Sequence, residues 1–380
     1  MVHGIMNAIK RCAGWLPPPV ACEPLLRMAE RAGVAVDCQR PAGEERTDFG
    51  HIEDAETREY FLKHAVSRYV PEYRACLPGA MSYGYGAVLS ADGRSLARDV
   101  TPDFGNDERS HWMLHRDRLL PRPRNLRGTT LVMAHNVSAN YFHWLLEEVP
   151  RCFGLALDSY DHIIASGFTA AQREMLRLLG IGNDRLLEPR GYCGYRAGHL
   201  VIPAIPGRIA GGDHCDETVP RMDTLTALRE LAAGMLEEAD SRRGLGSSGY
   251  PEKILVSRSR APSRRLANET EVHAVLKEKG FTLVHLEDMG LRQQAQLFAR
   301  AKVVVAPHGA ALANLVFCKA GTTVVELFTR GYLKCMYGHL AVRLGLRYLP
   351  LVERGGECLA ATDAPRDMRL DPREIAACLH

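Results

Sequence analysis

The sequence predicts an α/β protein with two domains facing each other across a cleft. Three observations carry that prediction. Between 253 and 351, five short apolar, β-branched runs alternate with four helical runs, the pattern of a Rossmann-like domain with a parallel sheet. The part before it, from 129 to 202, also alternates strand-like and helix-like runs. Between the two lies 243–251, RGLGSSGYP, the most linker-like stretch of the chain, and the boundary is placed there. The expected division is an N-terminal α/β domain over 1–243, a Rossmann-like domain over 252–352, and a tail over 353–380 that packs back on the first domain.

Taken in order, 23–35 reads as a helix burying Leu25, Leu26 and Met28, 40–54 as a polar loop, and 55–69 as a second helix. Asp92-Gly93, between AVLS and RSLA, is a hairpin signal. A strand at 129–134 runs into a helix opening near Val137 or Ser138. Strands follow at 161–165, 185–187 and 199–202, with a helix at 169–179 between the first two. The long helix at 219–243 has Pro220 in its first turn. Beyond the boundary, strands at 253–257, 281–286, 302–305, 323–327 and 347–351 alternate with helices at 268–279, 291–301, 310–317 and 333–344. A short helix near 372–379 ends the chain.

A chain of 380 residues with net charge +3 and no dense Lys/Arg tract is not built for nucleic acid. Eleven cysteines without a CxxC pair point to reduced thiols and away from structural zinc. The first twenty residues contain Lys10, Arg11 and three prolines, which suits neither a signal peptide nor a membrane span. Ile5, Ile9 and Trp15 leave a peripheral membrane contact open beside the plainer reading, a first helix of the fold.

The stretch 301–328 organises the second half. Two buried strand runs flank the turn Pro307-His308-Gly309 and the helical run from Ala310. A helix starting at the carboxyl edge of a parallel sheet turns unpaired N–H groups toward a phosphate-sized crevice. At the same edge, Arg258, Arg260, Arg264 and Arg265 fall within eight residues after the first strand, where a dinucleotide site would carry glycines. That composition suits a diphosphate held by side chains, the alternative being a solvated basic loop. Glu326, at the end of the fourth strand, either accepts ribose hydroxyls or caps and pairs locally. In the first half, Asn140, His143, Glu147 and Arg151 share one helical arc, though Pro150 must kink or end the helix before Arg151; the face suits general acid/base work or merely i,i+4 pairing. No DxD anchor and no GxSxG elbow occur, and Asp213-His214-Cys215-Asp216-Glu217 reads as a polar loop rather than a metal site.

Four blocks in order carry a resemblance: Asn140, His143, Trp144 and Glu147; Ser257, Arg258, Arg265, Asn268 and Glu269; Pro307 to Asn314; and Val324 to Leu327. Together they resemble glycosyltransferase family 61, strongly from about Leu131 to Phe328. The resemblance implies a GT-B-like pair of Rossmann-like domains and inverting transfer from a nucleotide sugar, UDP-linked in the better known members. It implies that the donor binds the C-terminal domain through Ser257, Arg258, Arg265, His308, Gly309, Ala310, Asn314 and Glu326. Glu147 or His143 is then the base, with Asn140 and Arg151 positioning the acceptor. No metal and no cofactor are expected. The acceptor is a glycan or lipid-linked glycan, in a bacterial, cytoplasmic-facing enzyme of surface-polysaccharide synthesis, at the inner face of the membrane. Two other classes stay open: a nicotinamide-dependent oxidoreductase, and a non-catalytic nucleotide-binding component of a polysaccharide assembly.

Overall fold

The computed structural model describes residues 15–102, 112–114, 119–191, 193–210, 218–243, 249–354 and 366–379. The chain divides into two compact units, one from Met1–Gly43 and Tyr69–Arg208, the other from Glu44–Arg68 and Ile209–His380.

The first unit is built on a ten-stranded mixed sheet. Its early strands are β1 (Ala21–Glu23) and β2 (Val36–Arg40); β3 (Gly43–Arg46) and β4 (Val66–Tyr69) form a separate two-stranded sheet that belongs, but for Gly43 and Tyr69, to the second unit. Then come β5 (Glu72–Pro78), β6 (Met81–Tyr83), β7 (Ala87–Leu89), β8 (Ser95–Ala97), β9 (Arg124–Val132), β10 (His162–Ile164), β11 (Leu186–Leu187) and β12 (Gly194–Pro203). Strands β12, β9, β10 and β11 lie parallel in that order, whereas β5 and β6 pair antiparallel with β12, and β7 with β6. The parallel strands are covered on both faces, so alternate side chains enter different cores. Leu131, Met133, Ile163 and Val201 pack on one side, and Val132, Ala134, Ile164, Leu200 and Ile202 on the other. A Rossmann-like first domain therefore describes only the parallel strands β12, β9, β10 and β11; the rest is antiparallel apart from the parallel pair of β1 with β8.

The second unit holds β13 (Lys253–Val256), β14 (Thr282–Val284), β15 (Val303–Pro307), β16 (Thr323–Phe328) and β17 (Arg347–Val352), all parallel, in the order β14-β13-β15-β16-β17. Three expectations are corrected here. The helix Met222–Arg243 packs against Leu291–Arg300 and Ala310–Phe317, so packing divides the chain at Arg208/Ile209 rather than at 243–251. The tail does not join the first unit: Met368, Leu370 and Ile375 pack with Leu255, Leu276 and Leu327 in the second. The expected helix at 55–69 stops at Lys63, and Val66–Tyr69 becomes a strand whose Ser67 and Tyr69 are buried and Arg68 exposed, a period of two. No helix among the described residues is long and apolar enough to cross a membrane.

A buried histidine gives this unit a pH dependence. His339 donates from Nε2 to the His64 carbonyl (3.0 Å), and its Nδ1 accepts the Thr47 hydroxyl (2.7 Å). Burial, with Arg343 nearby, pushes its pKa down to about 3. The folded protein keeps this ring neutral, while the unfolded chain takes a proton below about 6.5. Stability from this group is therefore complete above pH 6.5 and declines as pH falls toward 3; at pH 4.5 the loss is about 2–3 kcal/mol. Thermal unfolding at pH 7 and 4.5 checks this: His339→Gln should show a smaller acid-induced fall in Tm than wild type. Equal falls would clear His339 of that role.

Candidate functional site

In the second unit the strand order 2-1-3-4-5 reverses direction between β13 and β15. Ligands of open parallel sheets bind outside the carboxyl ends of the strands at such a switch point. The residues that leave these two strands are Ser257–Arg265 and His308–Ala310. Buried Ser257 donates to Glu269 Oε1 (2.9 Å) and accepts from the Ser259 amide (3.1 Å), which fixes the start of the loop. Half-buried Arg258 donates from Nε and Nη2 to the Ser263 carbonyl, 3.2 Å each, and its guanidinium lies on Gly309. A Cβ at Gly309 would overlap that group, with Cζ only 2.9 Å away. Glycine leaves room for the guanidinium rather than serving conformation, since its φ of 173° is extended backbone.

Arg264, named from the sequence only as one of the four arginines in the run, joins this group. It is the sole non-glycine at positive φ (57°) among the described residues. Its guanidinium carbon stands 5.4 Å from the centre of the Tyr332 ring, and its buried Nε has no hydrogen-bond partner. Strained backbone and an unpartnered buried donor are features that collect at functional sites. Lys334 is nearly buried, with Nζ 5.7 Å from the same ring.

These cations surround His308. Its Nδ1 meets Glu326 Oε1 at 2.5 Å, and the Tyr348 hydroxyl donates to Glu326 Oε2 at 2.6 Å. Phe328 stacks on the imidazole at 5.3 Å, with Tyr332 and Tyr337 against it. Burial, then Arg264, Arg258 and Lys334, hold its pKa well below the ordinary value. Burial pushes Glu326 up. The ring is thus held in one orientation through Nδ1, leaving Nε2 as its other polar atom.

Several expected contacts are placed differently. Glu326 cannot take ribose hydroxyls, because it is fully buried and both oxygens are engaged. Exposed Arg265 donates to Asp367 from its backbone N (2.9 Å) and Nε (2.8 Å), binding the tail to the loop. Asn314, also fully buried, donates to Gln294 Oε1 and the Ala311 carbonyl, 3.0 Å each, and so anchors the segment starting at half-buried Ala310. That segment, Ala310–Phe317, is a 3₁₀ rather than an α-helix.

In the first unit the site gathers where β9 ends. Asn140 caps the next helix, its Oδ1 accepting from the Phe142 amide (2.9 Å). The helix, expected to kink or end at Pro150, is already broken earlier, into an α-turn (Tyr141–His143), a π-segment (Trp144–Glu148) and a 3₁₀ turn (Val149–Cys152). Pro150 has no N–H and its ring crowds the carbonyl four residues back, so a regular helix cannot run through it. Nor does one face meet solvent, for every residue from Trp144 to Cys152 is buried.

Polar atoms therefore meet inside. Glu147 Oε2 lies 2.9 Å from His143 Nδ1 and 3.5 Å from His135 Nε2. His135 is wholly buried, neither ring nitrogen has a hydrogen-bond partner, and burial pushes its pKa down to about 3. His143 is the member that reaches solvent, its side chain 19% exposed. A carboxylate between two imidazoles, one of them at the surface, can accept a proton and pass it on. The neighbouring Glu148 accepts from the Ser166 amide (2.6 Å) and hydroxyl (2.7 Å), and burial raises its pKa.

Arg151 is not available to a ligand. It is buried and donates to the carbonyls of Met133 (2.8 Å), Ala134 (3.2 Å) and Pro203 (3.0 Å from Nε), tying together the ends of β9 and β12. Burial lowers its pKa to about 10, so it stays charged near neutrality.

His135 and Lys334 were not singled out from the sequence, and Arg264 was named only within the arginine run. His135 had a usable signal, since it follows a parallel strand just as His308 does. The stretch 213–217 lies outside the described residues. Among those residues no group of three or more His, Cys, Asp or Glu could hold a metal ion.

Residues 141–325 match the family model Glycosyltransferase 61. The chain is also similar to the beta-1,2-xylosyltransferase XAX1 of Oryza sativa subsp. japonica, 32% identical over 169 residues, which covers 42% of this chain and 28% of that protein. It is similar to protein O-linked-mannose beta-1,4-N-acetylglucosaminyltransferase 2 of Canis lupus familiaris, 31% identical over 106 residues, 27% of this chain and 18% of that protein. The chain thus spans less than a third of the length of either relative. The matched segment contains His143, Glu147, Arg258, Arg264, His308 and Gly309, whereas His135, Glu326 and Lys334 lie outside it.

Proposed function

We propose that this chain is a family 61 glycosyltransferase of GT-B-like construction. It moves a sugar, with inversion and without a metal, from a UDP-linked donor to a hydroxyl of a glycan or glycolipid. Its setting is surface-polysaccharide synthesis at the cytoplasmic face of a membrane. The observation that carries the reading is the convergence of Arg258, Arg264 and Lys334 on His308 at a sheet switch point, inside or adjoining the matched segment. Free cysteines throughout the described residues agree with a reducing compartment.

In this reading the acceptor oxygen attacks the anomeric carbon while the bond from that carbon to the diphosphate breaks. The hydroxyl proton goes to Glu147, directly or through His143. Charge growing on the departing diphosphate meets the arginine and lysine side chains, the His308 Nε2 and the first amides of Ala310–Phe317. Glu326 acts through His308, fixing its orientation.

A thermal-shift panel tests the reading. UDP at about 100 times its Kd should stabilise the protein by about 2.7 kcal/mol, and NAD should not. Stabilisation by NAD alone would favour the oxidoreductase. Donor turnover should persist in EDTA; complete loss restored by manganese would show a metal requirement, with 213–217 the first place to search.

A further inference from the structure

Among the described residues five large hydrophobic side chains are exposed, and the two aromatic ones touch each other. Tyr85 is 46% and Phe168 38% exposed, and their rings meet edge to face, 6.1 Å apart at 78°. Neither is a loose surface residue. Tyr85 stands between Gly84 (φ 56°) and Gly86 (φ 105°) in the turn joining β6 to β7. A Cβ at Gly86 would overlap the Ala134 carbonyl and come 2.9 Å from the His135 nitrogen, so this turn is pressed against the backbone that carries His135. Phe168 follows Ser166, which grips Glu148, the neighbour of Glu147. Arg173 Nη1 holds the Gly167 carbonyl at 2.6 Å, fixing the backbone before Phe168.

We propose that Tyr85 and Phe168 form a carbohydrate platform in the first unit, on which a sugar ring of the acceptor stacks beside the His135–His143–Glu147 group. The inference rests on the glycosyltransferase reading. A sugar ring presents a face of C–H groups and a rim of hydroxyls. Two aromatic walls offer π faces to the first, and polar side chains are needed for the second. That rim is present. Glu188 Oε1 would stand 2.7 Å from a Cβ at Gly167, placing its carboxylate beside the Phe168 backbone. Arg190, paired with Glu188 at 3.8 Å and mostly exposed, precedes Gly191, where a Cβ would lie 3.5 Å from the Tyr85 hydroxyl. Two rings are too little apolar surface for a protein partner, which needs roughly 800 Å² per side, but enough for one pyranose.

The test uses the full chain, ligand-observed NMR and a fixed panel: the methyl glycosides of glucose, galactose, mannose and xylose, with cellobiose and lactose. At least one should bind wild type in the millimolar range. Tyr85→Ala or Phe168→Ala should weaken that sugar roughly tenfold, as loss of a contact anchor does. Tyr85→Phe and Phe168→Tyr should keep it, and UDP stabilisation and Tm should be unchanged throughout. Equal sugar binding by wild type and both alanine variants would overturn the platform, and so would binding of no panel sugar by wild type. In either case UDP stabilisation of wild type would leave the glycosyltransferase reading standing, whereas its absence would count against that reading separately.

Discussion

Glu147→Gln is expected to lower turnover by ~10²–10⁴-fold while UDP stabilisation stays at the wild-type level, the loss associated with a positioned base. The amide keeps the size of the carboxylate and can still hydrogen-bond to His143, but it cannot accept the acceptor proton. The geometry also ranks the neighbours. His143 combines a 2.9 Å contact to Glu147 with a partly exposed side chain, so His143→Ala should slow turnover as well, by less if it only positions Glu147. His135 touches the same oxygen at 3.5 Å from a fully buried position. His135→Gln should therefore shift the pH profile of turnover rather than abolish it. If His143→Ala proves the more damaging variant, the histidine is the base and Glu147 orients it. Normal turnover in both variants would move the base elsewhere in the first unit, and loss of UDP binding in both would place this group in the donor site.

The alternation over 253–352 was legible because strands buried on both faces read as unbroken apolar runs, such as Thr323–Phe328. Most of the first unit was not, because its strands are short and pair over long distances: β1 lies beside β8, and β5 between β2 and β12. The boundary was misplaced for a related reason. A Gly/Ser-rich stretch shows where a chain is free to be a linker, but the packing of Met222–Arg243 decides where it belongs. At the sites, residue types at strand ends were readable, while their tasks were not. Glu326 did carry a sign of its role, since a carboxylate within an apolar strand must find internal partners. Pro150 showed that the helix could not run regularly to Arg151, but nothing in the sequence showed the π-segment at Trp144–Glu148. Nothing in the series Arg258, Arg260, Arg264, Arg265 shows which guanidinium turns inward, because a left-handed backbone at an arginine leaves no trace in composition.

That choice among arginines has its own expected result. Arg258→Ala and Arg264→Ala should each weaken UDP binding by about 1.5–3 kcal/mol, the range for a hydrogen bond to a charged group. Arg265→Ala should leave UDP affinity nearly unchanged, since that side chain is exposed and already engaged by Asp367. Position 264 separates binding from folding. Its φ of 57° suits glycine, so Arg264→Gly should relieve backbone strain of order 1 kcal/mol and raise Tm while affinity falls. Opposite movements of stability and affinity in one variant are hard to obtain from general damage to the fold. Gly309→Ala gives a check in which no charge is removed: the new methyl would displace the Arg258 guanidinium, and UDP affinity should drop toward that of Arg258→Ala. Isothermal titration of UDP against the five variants decides the matter. Should Arg265→Ala weaken binding as much as Arg264→Ala, the diphosphate lies on the outer side of the loop, and the group around His308 holds something else.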